Sequence, residues 1–254
     1  LELFLIGTSH ADPQGKERLD SILENLHPEV LSIEAKKGTI ERVNRSRFLK
    51  RKWLESIYRR KQYPEHLVRH GLAFFDESNK DWGYEIVSAQ EFSERKKIPI
   101  YFIDDMQDYP EGRKIRARRL KKWRQEELDL PSDPEDIELR PYSIVEEIER
   151  ERADYQRVRR ILMRKDDKAY ESEILRYFGQ SAAAALGQRD LLMADHLREI
   201  TQKHHSSRIA HIGGVAHILD HPKKKTLYSV IKDLRPSRII IDSPIRLTEK
   251  ERHF

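Results

Sequence analysis

The sequence predicts an α/β fold: a mostly parallel sheet flanked by helices, with a charged helical insertion. Three observations lead there. Short apolar runs at both ends of the chain have the length and β-branched content of buried strands. A helical repeat separates the first two, and strand–helix–strand order makes parallel sheet. Two Gly-x-x-His elements, Gly7-Thr8-Ser9-His10 and Gly214-Val215-Ala216-His217, each follow such a run and read as turns at strand ends.

In chain order, residues 1–6 read as the first strand. An amphipathic helix over 14–26 follows, with Leu19, Ile22, Leu23 and Leu26 on one face. Residues 29–33 (Glu-Val-Leu-Ser-Ile) form the second strand. Residues 42–61 are a basic helix with Phe48, Trp53, Leu54, Ile57 and Tyr58 as its packing face. A helix over 88–97 leads into a third strand at 98–103, which ends in Asp104-Asp105. Strands at 208–212 and 238–241, joined by a helix near 227–234, complete the sheet.

The segment 106–179 has a different character and reads as a helical insertion within a single domain spanning 1–254. Eight of the twelve residues 113–124 are Lys or Arg, and seven of the thirteen residues 126–138 are acidic. Pro131 and Pro134 break any helix in the acidic stretch. A long charged helix then spans 142–165, with Ile144, Ile148, Val158, Ile161 and Leu162 as its apolar side.

Composition narrows the chemistry. The 254 residues include no cysteine, which removes disulfides, thiolate metal sites and a cysteine nucleophile. No apolar run approaches the roughly 18–20 residues needed to span a bilayer. The chain opens directly on a strand pattern without a signal-peptide profile, so a cytoplasmic protein is expected. The net charge of +5 is small beside 49 basic and 44 acidic side chains. The acidic stretch directly after the basic run can neutralise it, which argues against nucleic acid as the partner. No phosphate-binding Gly-Lys-Ser/Thr loop or nucleophile-elbow serine is present.

In a parallel α/β sheet, ligands bind beyond the carboxyl ends of the strands. There the chain delivers His10, Glu34, Asp104 with Asp105, then His217, and finally Asp242. Two histidines with several carboxylates are a nitrogen and oxygen donor set suited to Zn, Mn or Co. Each residue also has a purely structural reading: Glu34 could pair with Lys36 or Lys37, and Asp104 could cap a helix. A helix over 182–201 adds the stripe Leu186, Asp190, Met193, Leu197, Ile200, which sets Asp190 on a buried face beside Arg189. A buried carboxylate needs a partner. Either an internal Arg189–Asp190 brace or a place in the site supplies one. His221 is the best spare ligand and His211 a core or lining residue. His66 and His70, at i, i+4, lack the intervening glutamate of a zinc-protease helix, and His204-His205 read as exposed.

With these residues laid out, the chain resembles the TraB family and its wider grouping with TIKI, erythromycin-esterase-like and ChaN-like proteins. The likeness is carried by residues 5–10 (Leu-Ile-Gly-Thr-Ser-His) and 28–34 (Pro-Glu-Val-Leu-Ser-Ile-Glu). It continues in 188–194 (Gln-Arg-Asp-Leu-Leu-Met-Ala) and 210–217 (Ala-His-Ile-Gly-Gly-Val-Ala-His), with Phe102-Ile103-Asp104 between them. Two features depart from the family pattern. Asp105 stands where an arginine is usual, and the C-terminal membrane helices of some members are missing. The resemblance implies a divalent-metal-dependent hydrolase, a peptidase for TIKI-like members. For TraB-like members it implies a non-catalytic protein that sequesters a peptide or signal. In the hydrolase reading, His10, Glu34 and His217 hold the metal or its water, with Glu34 as general base. Arg189 stabilises the oxyanion, while Asp190 and Asp104 orient the ligands. The partner is then a peptide or small-molecule substrate, and the helical insertion offers a surface for a homodimer.

Overall fold

The structure, a computed structural model, describes residues 1–10, 12–104, 121, 144–164, 167–182 and 186–242. Asp105, the basic run 113–124 apart from Lys121, the acidic stretch 126–138 and residues 183–185 lie outside the described residues. The elements are β1 (Glu2–Thr8), α1 (Gly15–Leu26), β2 (Val30–Ile33), α2 (Thr39–Arg60), α3 (Glu65–Ser78), α4 (Tyr84–Lys96) and β3 (Ile100–Phe102). They continue as α5 (Ile144–Met163), α6 (Asp167–Ala182), α7 (Gln188–Lys203), β4 (Arg208–Gly214), a 3₁₀ turn (Val215–Ile218), α8 (Leu227–Val230), a second 3₁₀ turn (Lys232–Leu234) and β5 (Ser237–Ile240).

The five strands form one parallel sheet in the order β3-β2-β4-β1-β5. Because helices cover both faces, the strands are apolar almost throughout: Leu5, Ile6, Leu31, Ile33, Ile209, Ala210 and Ile212 are all buried. β4 arrives late in the chain yet inserts between β1 and β2. That insertion makes the two Gly-x-x-His strands neighbours, with Gly7 opposite Gly213 and Thr8 opposite Gly214.

Strands β1 and β4 run further than the sequence pattern indicates, while β3, expected over 98–103, is confined to Ile100–Phe102. Gly7, Thr8, Gly213 and Gly214 belong to β1 and β4 rather than to turns after them. What glycine supplies here is close approach. A Cβ on Gly7 would lie 3.2 Å from Cα of Val215, and one on Gly213 would lie 2.8 Å from Oε2 of Glu34.

Helix α1 carries the expected apolar face, and α5 buries Val158 and Ile161 together with Tyr155. Helix α2 differs from its predicted packing. Phe48 is 55% exposed and Ile57 is its buried residue. The reason is its partner: α2 pairs with α3 around Tyr63, Val68 and Leu72, a satellite core away from the sheet. Helix α4 begins at Tyr84, four residues before the predicted start, and α7 begins only at Gln188. The helix predicted over 227–234 breaks after Val230 and finishes as a 3₁₀ turn. Among the described residues, no helix is long and apolar enough to cross a membrane.

Candidate functional site

Beyond the carboxyl ends of β1, β2 and β4 lies a cavity of about 610 Å³, whose walls include His10, Glu34, Glu85, Asp104 and Arg189. The loop after β1 holds His10 in place through its neighbour. The Ser9 N–H donates to the Tyr155 hydroxyl at 2.9 Å, and the Tyr84 hydroxyl donates to the Ser9 carbonyl at 3.0 Å. One tyrosine comes from α5 and the other from the first turn of α4, so both backbone groups of Ser9 are clamped. The next residue of α4, Glu85, approaches Nδ1 of His10 at 2.6 Å and lies 3.1 Å from the Thr8 hydroxyl. The His10 side chain is 53% exposed and meets Trp82 edge to face. The Glu85 carboxylate raises the His10 imidazole from 6.5 to about 9, overcoming the opposite effect of burial.

Glu34 follows β2 and is almost fully buried. Its Oε1 lies 2.5 Å from Nη2 of Arg189 and 3.2 Å from Nε2 of His217, and its Oε2 accepts the Gly214 N–H at 2.6 Å. Burial alone would push this carboxyl up. Arg189 and His217 outweigh that effect and hold it well below the usual range. Arg189 also grips Asp104 with two hydrogen bonds, Nε to Oδ1 at 3.1 Å and Nη2 to Oδ2 at 2.8 Å. Its Nη1 sits 3.4 Å from Nε2 of His217. Burial works against the guanidinium, but Glu34 and Asp104 more than restore its charge.

His217, on the 3₁₀ turn after β4, is buried. Its Nδ1 is 2.6 Å from Oδ1 of Asp190. The same oxygen accepts the Leu227 N–H at 2.7 Å, and Oδ2 accepts the Gly187 N–H at 3.0 Å. Asp190 therefore braces His217, the start of α8 and the start of its own helix. It does not form the internal pair with Arg189 that the sequence allowed. Burial lowers the His217 imidazole, but Glu34 and Asp190 raise it to about 9.

All six sequence-derived site residues thus converge: His10, Glu34, Asp104 and Arg189 face the cavity, with His217 and Asp190 directly behind them. Other candidates go elsewhere. Asp242 pairs with Arg159, His221 packs on the Phe178 ring, and Tyr101 and His204 hydrogen-bond at 2.9 Å. Glu85 and the two tyrosines were missed. The first-turn acid after Gly83 is the signal that could have pointed to Glu85.

Comparison with protein-family models, curated proteins and solved structures gives no match in any of the three.

Proposed function

We propose that the protein is a hydrolase that cleaves an ester or amide bond, a peptide bond included, in this cavity. The observation that carries the reading is the His10–Glu85 dyad. A carboxylate holds Nδ1 at 2.6 Å while the half-exposed ring faces a cavity that also contains the Arg189 guanidinium. A carboxylate on Nδ1 fixes the ring and leaves Nε2 free to exchange a proton. Neutral His10 takes a proton from water as the water oxygen attacks the carbonyl carbon. The imidazolium so formed returns that proton to the leaving oxygen or nitrogen. Arg189 supplies positive charge for the developing oxyanion. In this reading Glu34, its carboxyl held low by Arg189 and His217, is not the general base that the resemblance implies. Its part is to anchor Arg189 and His217.

One observation favours a metal-dependent form of this chemistry, with Mn, Co or Zn on His10, Glu34 and His217. Each histidine has a carboxylate behind Nδ1, the arrangement that orients metal-ligating imidazoles. The donor set as it stands does not fit. Arg189 places a cation against both Glu34 and Nε2 of His217, and among the described residues no group of three or more ligands is gathered around a common centre. A metal bound there would supply an activated water, and its affinity would rise with pH as the imidazoles lose their protons.

The test is turnover of short peptides and simple esters in chelator and, separately, with added Mn, Co or Zn. Turnover in chelator is expected. kcat/KM should climb with pH and level off above about 9, where His10 becomes neutral, and His10→Ala should lose about 10²–10⁴-fold. Turnover that needs metal and vanishes in His217→Ala selects the metal-dependent form. Tight stoichiometric peptide binding without turnover under any condition replaces the hydrolase with a sequestering protein.

A further inference from the structure

The polar residues of the site occupy only part of the cavity wall. Ile33, Val43, Trp82, Ile86 and Ile212 add an apolar lining. A volume of about 610 Å³ suits a small organic ligand, and sites of that size pair apolar and aromatic walls with a few polar groups that fix orientation. Within this lining Trp82 stands apart. Ile33, Ile86 and Ile212 are buried, whereas Trp82 is 40% exposed.

The backbone explains how the indole comes to lie there. Trp82 sits in the turn between α3 and α4, where its N–H donates to the Asn79 carbonyl at 3.3 Å. Gly83 follows with φ at +87°, a left-handed value that suits glycine, and α4 starts directly after it. Trp82 and Glu85 therefore reach His10 from one short segment. Glu85 approaches Nδ1 at 2.6 Å, and the indole meets the imidazole edge to face with centroids 6.5 Å apart. A single exposed aromatic on an open surface needs no explanation. This one borders a cavity and touches the ring to which the proposed reaction assigns proton exchange. Its exposed part is apolar surface that a bound apolar group would take out of water. An aromatic group would add edge-to-face or offset-stacked contacts to that gain.

We propose that Trp82 is a specificity-determining residue and that the substrate carries an aromatic or bulky apolar group next to its scissile carbonyl. That group packs on the indole and the apolar lining while the carbonyl oxygen turns to Arg189. The scissile carbonyl rests on the proposed hydrolase reading; the apolar subsite rests on the cavity alone.

Two ketones that cannot be hydrolysed separate the subsite from the reaction: benzylacetone, which carries a phenyl group, and butanone, which lacks it. Both are titrated into the full chain labelled at tryptophan nitrogen, with the Trp82 indole signal identified by its loss in Trp82→Phe. Affinities are read from the ketone signals by saturation transfer. Benzylacetone should shift the Trp82 signal and bind at least about tenfold more tightly than butanone. Trp82→Ala should shrink that gap to about threefold or less, and Trp82→Phe, which keeps a ring, should hold most of it. Equal affinity for the two ketones, a gap unaltered in Trp82→Ala, or binding of neither overturns the proposal. In turnover, Trp82→Ala should cost ethyl hydrocinnamate about tenfold more in kcat/KM than ethyl propionate. Equal losses for the two esters overturn it as well. If neither ester turns over while the ketone gap and its loss in Trp82→Ala remain, the hydrolase reading fails and the apolar subsite stands.

Discussion

The two Gly-x-x-His halves share a local design and differ in depth. In each, a histidine that follows a strand offers Nδ1 at 2.6 Å to a carboxylate in the first turn of a helix, Glu85 on α4 and Asp190 on α7. That position suits an anion, because unpaired N–H groups and the helix dipole favour negative charge there. Both imidazoles are raised to about 9. Yet the His10 side chain is 53% exposed and that of His217 only 5%. The same pairing therefore does different work. At the cavity wall it raises an imidazole to which the proposed reaction assigns proton exchange, and behind the wall it forms a buried brace against Glu34 and Arg189.

The largest predicted effect breaks the brace. Asp190→Asn removes the buried partner of His217 and weakens the anchors of Leu227 and Gly187. Breaking one side of a buried pair costs about 3–5 kcal/mol. At about 2–4 °C per kcal/mol for a chain of this size, the thermal midpoint should fall by roughly 10 °C. His10→Ala truncates a half-exposed side chain and should stay within about 1 kcal/mol of the unmodified protein while losing turnover. Equal destabilisation by the two variants in thermal melts would show that the halves are not differentiated.

A smaller contrast separates two adjacent glycines. Gly213→Ala forces a methyl into the space shared by Glu34 and His211 and should cost about 1–3 kcal/mol by overpacking. Gly214→Ala meets Oε2 of Glu34, Cδ2 of His217 and Nε2 of His10 at 3.5, 3.6 and 3.7 Å, which are ordinary contacts. Its stability should change by no more than about 0.5 kcal/mol, but the methyl projects between the two histidines and should weaken ligand binding. Denaturant midpoints beside ligand titrations separate the two; a Gly214→Ala variant as unstable as Gly213→Ala would place both glycines in the brace.

Much of this was legible in the sequence because strand ends and polar residues coincide. Apolar runs ending at His10, Glu34 and Asp104 mark the sheet edge, and a carboxylate inside the Leu186–Ile200 stripe marks the buried brace. The missing parts depend on tertiary choices. Glu85 lies before the stretch 88–97 that periodicity identified as helix, and only contact with Thr8 and His10 gives it a role. Tyr155 reads from sequence as one more aromatic in a charged helix. Its clamp on Ser9 spans 146 positions along the chain. Phe48 is exposed although the amphipathic pattern of α2 puts it on a packing face, because such a pattern does not say which partner the helix chooses.

The subtlest difference is between the two buried histidines of the β4 segment, and pH separates them. His217 has a folded-state value of about 9, raised above the ordinary 6.5, so its stabilising contribution is complete below about 6.5 and fades as pH climbs through 9. His211 has the opposite sign. Its value of about 4 lies below the unfolded one, so its contribution is complete above about 6.5 and fades as pH falls toward 4. Each shift corresponds to about 3 kcal/mol at its full extent, and Glu34, held low, adds to the loss on the acid side. Stability should therefore peak near pH 6.5 and decline on both flanks, as read by urea midpoints between pH 4 and 9.5. His217→Gln should make the alkaline flank shallower, leaving the smaller part that half-exposed His10 contributes. His211→Gln should make the acid flank shallower. Flanks that persist unchanged in both variants would assign the pH dependence to other groups. A single variant that flattens both would mean that the two imidazoles titrate as one coupled unit through Glu34.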